Sequence, residues 1–501
     1  MPEYLTLLLN CPLVIATIFI AGIGGTFQYG YCVSVMTSPS GFIKELVNKT
    51  CIHRYNLSLE QWHLSLIWSF TVSIFCIGGL IGALVAGSLI SKFGRKRCLL
   101  FNNFMAITGA VLMLLSQTAM SFEMIMAGRF LCGLNSGIGL CAHTMYLLEC
   151  APRQLREMVG VTIASFISLG KFSGQLLGIS ELLGTEKNWP WLLGFISFTA
   201  LFQLVTLPFL PESPSFLLFE RGDRPACEKA IKRLWGNNDY SKEIEEMLKE
   251  KAALQNVRSH SVLELIQNQT VRWQLITIIV MFVSLQLCGI NAVYFYSFEV
   301  FRAAGIQEHK LPYAALGTGL CELSTSVAFF MIIQRTGKKV LLFRGYIGMS
   351  TTLALLTVTL YLQHYLSWMP YCSMVLIFMF IFSFACGPAA GTVSLPGEIF
   401  PQAFKSAAYT IACTINWTGL FVLGMIFPVL VENLDSFCFV IFLFFCVVAV
   451  IYIKFIPETR NRTTLEIAAE FDRIHSKSGA LHRIAFPENN LNGVKTYETK
   501  F

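Results

Sequence analysis

ECAPRQLR, residues 149–156, and GEIFPQAFKS, residues 397–406, each follow an apolar run and read as two copies of one motif. Two further motifs recur in the same way. FGRKR (93–97) is echoed by TGKK (336–339), and LPESPS (210–215) by IPETRN (456–461). Gly337 follows Gly94 by 243 positions, Glu398 follows Glu149 by 249, and Pro457 follows Pro211 by 246. One such coincidence carries nothing. Three, each at a matching place relative to the apolar runs, imply a duplicated chain.

A membrane-crossing helix needs about 20 apolar residues. Twelve runs qualify: 6–36, 64–90, 98–118, 122–148, 159–183, 189–210, 272–297, 312–333, 339–361, 370–396, 406–431 and 435–456. The chain is 54% hydrophobic and only 13% charged, against about 25% charged in soluble domains. The expected fold is an all-α membrane protein with twelve transmembrane helices in two six-helix pseudo-repeats. A β-barrel is excluded, because its strands would alternate apolar and polar with period two. The expected units are an N-terminal bundle (1–210), a cytoplasmic helical linker (211–270), a C-terminal bundle (271–456) and a cytoplasmic tail (457–501), flexible after 470. Parallel repeats with a substrate site between them at mid-membrane are the pattern of major-facilitator transporters.

The net charge of +7 calls for no nucleic-acid partner. The cations cluster at Lys92, Arg95, Lys96 and Arg97, at Arg153 and Arg156, through 220–258, at Arg335, Lys338 and Lys339, at Lys405, and in the tail. Each cluster follows an even-numbered span. The positive-inside rule then places both termini in the cytoplasm. The first run follows MPEYL, which has no Lys or Arg, so no cleavable signal is expected. The sixteen cysteines lie mostly inside apolar runs and read as small buried hydrophobes. In the linker, PACEKAIKRLWG (225–236) and YSKEIEEMLKEKAALQNV (240–257) have helical periodicity. The outer loop 37–63 carries glycosylation sequons at Asn48 and Asn56.

The motifs together resemble the facilitative sugar transporters of the major facilitator superfamily, over nearly the whole chain. They are FQYGY (27–31), GR (128–129), YLLECAPRQLR (146–156), GQ (174–175), PESP (211–214), LQLCGINAVYFYS (285–297), TGLCEL (318–323), NW (416–417) and PET (457–459). FQYGY, and the absence of a QLS element in span 7, resemble the class II branch. The chain departs from the family pattern at Ser91, Glu157, Ser215, Gln334, Lys338 and Lys339, which implies a weaker cytoplasmic ion-pair lattice.

The resemblance implies a small-molecule sugar carrier working by alternating access. Amides suit sugar hydroxyls because each both donates and accepts, and aromatic rings suit the apolar faces of a sugar. The candidate contacts are Tyr29, Gln175, Gln286, Asn291, Glu322, Phe384, Asn416 and Trp417. The competing reading is that such amides bond helix to helix. Leu285 stands where a glutamine is usual, Glu322 where an asparagine is, and Val393 where class I members carry tryptophan. Phe384 resembles glucose-transporting members.

Arg95, Glu149, Arg156 and Glu212, with their echoes Lys338, Glu398, Lys405 and Glu458, are the implied gate charges, paired when the carrier faces outward. Tyr294 and Tyr296 are read as outer-gate residues or interface anchors. Gly387, Pro388, Gly391, Pro396 and Gly397 make span 10 bendable. Proton-coupled relatives carry an Asp in the span 1 pattern FGYD; here Cys32 replaces it, which favours uniport. No catalytic, metal or cofactor constellation is found: His143 and His364 are isolated. A monomer in the plasma membrane is expected.

Lys171 sits about 18 Å from either end of run 159–183, farther than a lysine side chain snorkels. Gln175, at i+4, shares its helix face, and Glu322 lies at matching depth on span 8. Three readings remain open: a Lys171–Glu322 ion pair bridging the halves, a free cation for an anionic substrate such as urate, or a water-exposed or helix-bonded side chain. Glucose or fructose leads as substrate. The alternatives are urate or another polar heterocycle or organic anion, and a transport-inactive sensor.

Overall fold

The structure is a computed structural model and describes residues 2–332 and 336–475. Gln334 and the chain from 476 onward fall outside the described residues. Among those described, regular structure is helical throughout. In lipid a helix satisfies its own backbone hydrogen bonds, so apolar runs of this length have no cheaper conformation.

The twelve spans are Pro12–Ser34, Gln61–Phe93, Arg95–Leu115, Phe122–Cys150, Arg156–Leu177, Trp189–Phe209, Arg272–Phe295, Leu311–Ile332, Lys338–Leu362, Met369–Ile399, Gln402–Leu434 and Cys438–Ile453. They are numbered 1–12 below. Spans 5 and 8 do not appear among the helices that qualify as membrane-crossing on length and apolarity alone. They are also the two that carry Lys171 and Glu322.

Four local features differ from the reading of the sequence. The first run is broken: a separate helix, Pro2–Leu9, precedes span 1, which begins at Pro12. A proline is favoured there because its missing N–H is unpaired in any first turn. The outer loop contains a helix, Ser40–Tyr55, that ends where Asn56 turns left-handed at φ +52°. The linker holds four helices rather than two: Pro214–Phe219, Arg224–Trp235, Ser241–Gln255 and Val262–Gln267. Finally, the chain is still ordered helix at 470. Thr464–His475 packs back on the bundle, with the His475 ring stacked 4.1 Å from Trp273.

The first bundle is fastened by buried amides. Asn135 donates to Gln28 at 2.8 Å, Gln28 to Thr199 at 3.2 Å, and Asn103 to Gln203 at 2.7 Å. Each of these bonds joins two helices of the same half. The linker and the helix Pro2–Leu9 lie on one side of the membrane domain, called the linker side here. The helix Ser40–Tyr55 lies on the far side.

Span 7 is the irregular one. Its helix stops at Leu287, restarts at Ile290–Phe295, and continues as Ser297–Ala303. Gly289 makes the break, at φ +91°. A side chain there would be strained by the backbone alone and would also meet the ring of Phe442 at 2.5 Å. Gly289→Ala should therefore cost about 1–2 kcal/mol from the left-handed backbone alone, read as a lower thermal midpoint of the detergent-purified protein. An unchanged midpoint would show that the break does not depend on glycine.

Candidate substrate site

Spans 5 and 8 run antiparallel across the boundary between the halves, joined by a ladder of polar side chains. Ser168 and Ser326 hydroxyls meet at 2.8 Å. Lys171 Nζ donates to Glu322 Oε1 at 3.1 Å and to Oε2 at 3.4 Å. Gln175 Nε2 donates to Thr318 Oγ1 at 3.0 Å. Farthest from the linker side, the Tyr313 hydroxyl donates to Glu181. Each step forward on span 5 matches a step back on span 8. The helices come this close because residue 319 is glycine; a Cβ there would lie 3.0 Å from Phe172 Cα.

Lys171 and Glu322 are each 6% exposed. A buried ammonium or carboxylate alone loses several kcal/mol of hydration, and the pair recovers this only with good geometry and further hydrogen bonds. Tyr294 supplies both kinds of support. Its hydroxyl donates to Glu322 Oε2, and its ring lies 4.4 Å from Lys171 Nζ, within cation–π range.

A second polar group forms around the break in span 7. Asn291 Nδ2 donates to Gln286 Oε1 at 2.8 Å, and Gln286 Nε2 donates to Asn416 of span 11. The turn at Gly289 lets Gln286 and Asn291, five residues apart, face each other. Beside them stands an aromatic wall: Trp417 meets Tyr29 edge-on at 5.7 Å and Phe75 at 5.9 Å. Tyr29 and Asn416 are half-buried, whereas Trp417 is buried. The helix Ile290–Phe295 joins the two groups, carrying Asn291 into the amides and Tyr294 into the ladder.

The candidate contacts thus divide. Gln286, Asn291 and Asn416 come together, and Tyr29 meets Trp417, the neighbour of Asn416 in sequence. Gln175 and Glu322 belong to the ladder, although Gln175 Oε1 keeps a buried acceptor with no hydrogen-bond partner. Phe384, on span 10 just before the Gly387 break, is linked to neither group by a hydrogen bond or ring contact. Tyr294 and Tyr296 are fully buried, so neither is an interface anchor. Tyr296 donates to Gly424 O at 2.5 Å and stacks on Phe427 at 5.6 Å.

On the linker side the two halves build matching lattices. Arg95 Nη2 donates to Glu149 at 3.0 Å, and Glu149 also accepts from the Ser213 hydroxyl. In the second half Lys338 pairs with Glu398, which accepts from the Thr459 hydroxyl at 2.7 Å. Glu212 accepts from the backbone N–H groups of Lys96 (3.0 Å) and Ser213 (2.9 Å), and Glu458 from that of Thr459 (3.0 Å). The third echo is silent: Arg156 Nε is buried without a hydrogen bond, and Lys405 has no ion-pair partner among the described residues. Arg95 gains an extra carboxylate, Glu220, at 3.1 Å. Contacts between the halves concentrate instead at mid-depth and on the far side. There Lys44 meets Glu299 at 3.3 Å, Ser65 meets Glu432 at 2.6 Å, and Phe298 N donates to Thr37 at 3.1 Å. The two halves are thus joined on the far side.

Arg129 was not singled out from the sequence as a site residue. It is 1% exposed on span 4. It donates to Cys32 O at 2.5 Å and to Val72 O at 2.9 Å, and its guanidinium lies 4.7 Å from the Phe75 ring. It has no carboxylate partner among the described residues. The available signal was a lone arginine inside the apolar run 122–148.

Lys171→Ala and Glu322→Ala should each lower stability by about 3–5 kcal/mol, since each strands a buried charge. The double variant should lose clearly less than the sum, with a coupling above about 1 kcal/mol in a thermodynamic cycle. Additive losses would refute an energetic pair.

Residues 17–471 match the family model described as "Sugar (and other) transporter". Mouse solute carrier family 2, facilitated glucose transporter member 9, is 45% identical over 92% of this chain and 85% of its own length. Human member 11 is 42% identical over 95% of this chain and 94% of its own. Cattle member 5 is 39% identical over 93% and 94%. In fold, the inward open conformation of the xylose transporter XylE from E. coli superposes with a TM-score of 0.75 at 21% identity, covering 91% of this chain and 99% of that one. The major-facilitator fold, the multi-pass membrane setting and a carrier's rather than an enzyme's role follow. The chain is a member of the sugar transporter family.

Proposed function

We propose that the chain is a facilitative uniporter of hexose, glucose or fructose, working by alternating access between the bundles 1–210 and 271–456, tethered by the linker 211–270. The observation that carries this reading is the compensation of Lys171 by Glu322 at 3.1 Å. With that charge neutralised and the Arg129 guanidinium occupied by the carbonyls of Cys32 and Val72, this reading takes as its polar lining the neutral amide group Gln286–Asn291–Asn416 and, with it, the Tyr29–Trp417 wall. Uncharged hydroxyls and an apolar ring face match this chemistry. An organic anion such as urate would need a cation, and the chief candidate for that role is already engaged.

Uniport is supported at Arg129. Cys32 offers it a backbone carbonyl, and no acid among the described residues pairs with it to take up and release a proton. The gate follows from the lattices. Arg156 and Lys405 are the cations left over when each half closes on itself. In this reading they recruit Glu398 and Glu149 across the boundary when the linker side shuts. The linker side is then cytoplasmic, with both termini there, and a monomer in the plasma membrane suffices.

Radiolabelled glucose, fructose and urate should be offered to proteoliposomes with and without a pH gradient. Hexose uptake, unaltered by the gradient and accelerated by counterflow, is expected. Urate uptake alone would overturn the substrate, gradient-driven accumulation the uniport, and binding without exchange the carrier itself. Asn56 is exposed at the end of the outer helix, whereas Asn48 is half-buried within it. Asn56→Gln should therefore abolish a glycan-dependent mobility shift in human cells and Asn48→Gln should not. Absence of any glycan on the wild-type chain would count against the orientation.

A further inference from the structure

The linker-side end of span 6 gathers cations that the carrier reading does not use. Two of them grip consecutive carbonyls of its last turn. Lys96 Nζ donates to Pro208 O at 3.2 Å, and Arg233 Nη2 donates to Phe209 O at 2.7 Å. Lys96 comes from the start of span 3 and Arg233 from the linker helix Arg224–Trp235, so three elements converge at one point. That linker helix adds Lys229 and Lys232. With Pro225, Glu228 and Arg233 they line a hollow of about 420 Å³.

None of Lys96, Lys229, Lys232 and Arg233 forms a salt bridge among the described residues, although Lys96 and Arg233 each give one donor to a backbone carbonyl. Lys229, Lys232 and Arg97 have no ion-pair partner among the described residues, and Arg233 spends only one of its nitrogens, on a backbone carbonyl. The single carboxylate lining the hollow, Glu228, is held by Arg224 at 3.4 Å. Lys229, Lys232 and Arg233 are all exposed. The hollow thus presents a net positive field with donors to spare, including the fork of a guanidinium that fits phosphate oxygens.

Next to it the surface turns apolar along span 6. Phe209 is 74% exposed, Val205 61% and Phe202 43%. A soluble anion would use the cations and leave this strip untouched. A lipid would use both, its acyl chains along span 6 and its headgroup among the lysines. Basic clusters beside a membrane helix attract anionic lipids by about 1 kcal/mol per cation.

We propose that Lys96, Lys229, Lys232 and Arg233 form a binding site for the headgroup of an anionic phospholipid in the leaflet bordering the linker side. The site is independent of which substrate the carrier takes. Delipidated full-length protein in detergent, titrated with phosphatidylserine and read by native mass spectrometry, tests it. Phosphatidylserine should bind more tightly than phosphatidylcholine. Lys229→Gln with Lys232→Gln should weaken it roughly ten- to thirty-fold. The control, Lys242→Gln with Lys249→Gln, removes the same charge from exposed positions on the next linker helix and should leave binding intact. Because all four lysines are exposed, the thermal midpoint of each variant without lipid should match wild type. Equal weakening by both pairs would reduce the site to a diffuse field and overturn it. So would equal affinity for phosphatidylcholine, or inorganic phosphate competing as well as the lipid does.

Discussion

The seam between the two halves at mid-membrane is organised by the cost of burying Lys171. An ammonium in hydrocarbon is tolerated only when something replaces its lost hydration. Here the replacement comes from the other half of the molecule, through Glu322, with Tyr294 adding a hydroxyl to the carboxylate and a ring to the ammonium. One interaction therefore fixes the register of spans 5 and 8. Ser168 with Ser326, and Gln175 with Thr318, then fall opposite each other along the same ladder.

On the proposed function, the ladder also couples recognition to motion. Asn291 and Tyr294 ride on the same short helix, Ile290–Phe295, cut from the rest of span 7 by Gly289. A ligand that pulls on Asn291 pulls on a segment tied to the inter-half pair. Hinges of this kind convert small shifts at a site into rearrangement of packed elements. Arg129 does the opposite within the first half: by binding carbonyls of spans 1 and 2 it holds three helices as one body.

The helix count and the duplication were legible because they are written in composition and motif spacing, which tertiary packing does not override. The facing of Lys171 and Glu322 could be reasoned from depth and cost, since a buried charge restricts its own surroundings. Other features were hidden for physical reasons. Whether an amide such as Gln175 meets a ligand or a neighbouring helix depends on a few ångströms of helix rotation, and Gly319, which sets that approach, looks like any other glycine in sequence. The break at Asn10–Cys11 lay inside an unbroken apolar run. The capping role of Glu212 and Glu458 was obscured because a carboxylate beside arginines reads first as an ion-pair partner, while the nearest donors are backbone N–H groups.

The 151 residues that separate Lys171 from Glu322 set a waiting time during biosynthesis. At about 5–20 residues per second, the lysine leaves the ribosome roughly 8–30 s before its partner exists. Span 5 must enter the bilayer, or linger at its edge, with an unneutralised ammonium at its middle. Its final depth is settled only when the second half arrives. The first bundle is thus complete in sequence but not in electrostatics until span 8 is made, and a ribosome stalled between them would leave a six-helix product with a charge facing lipid.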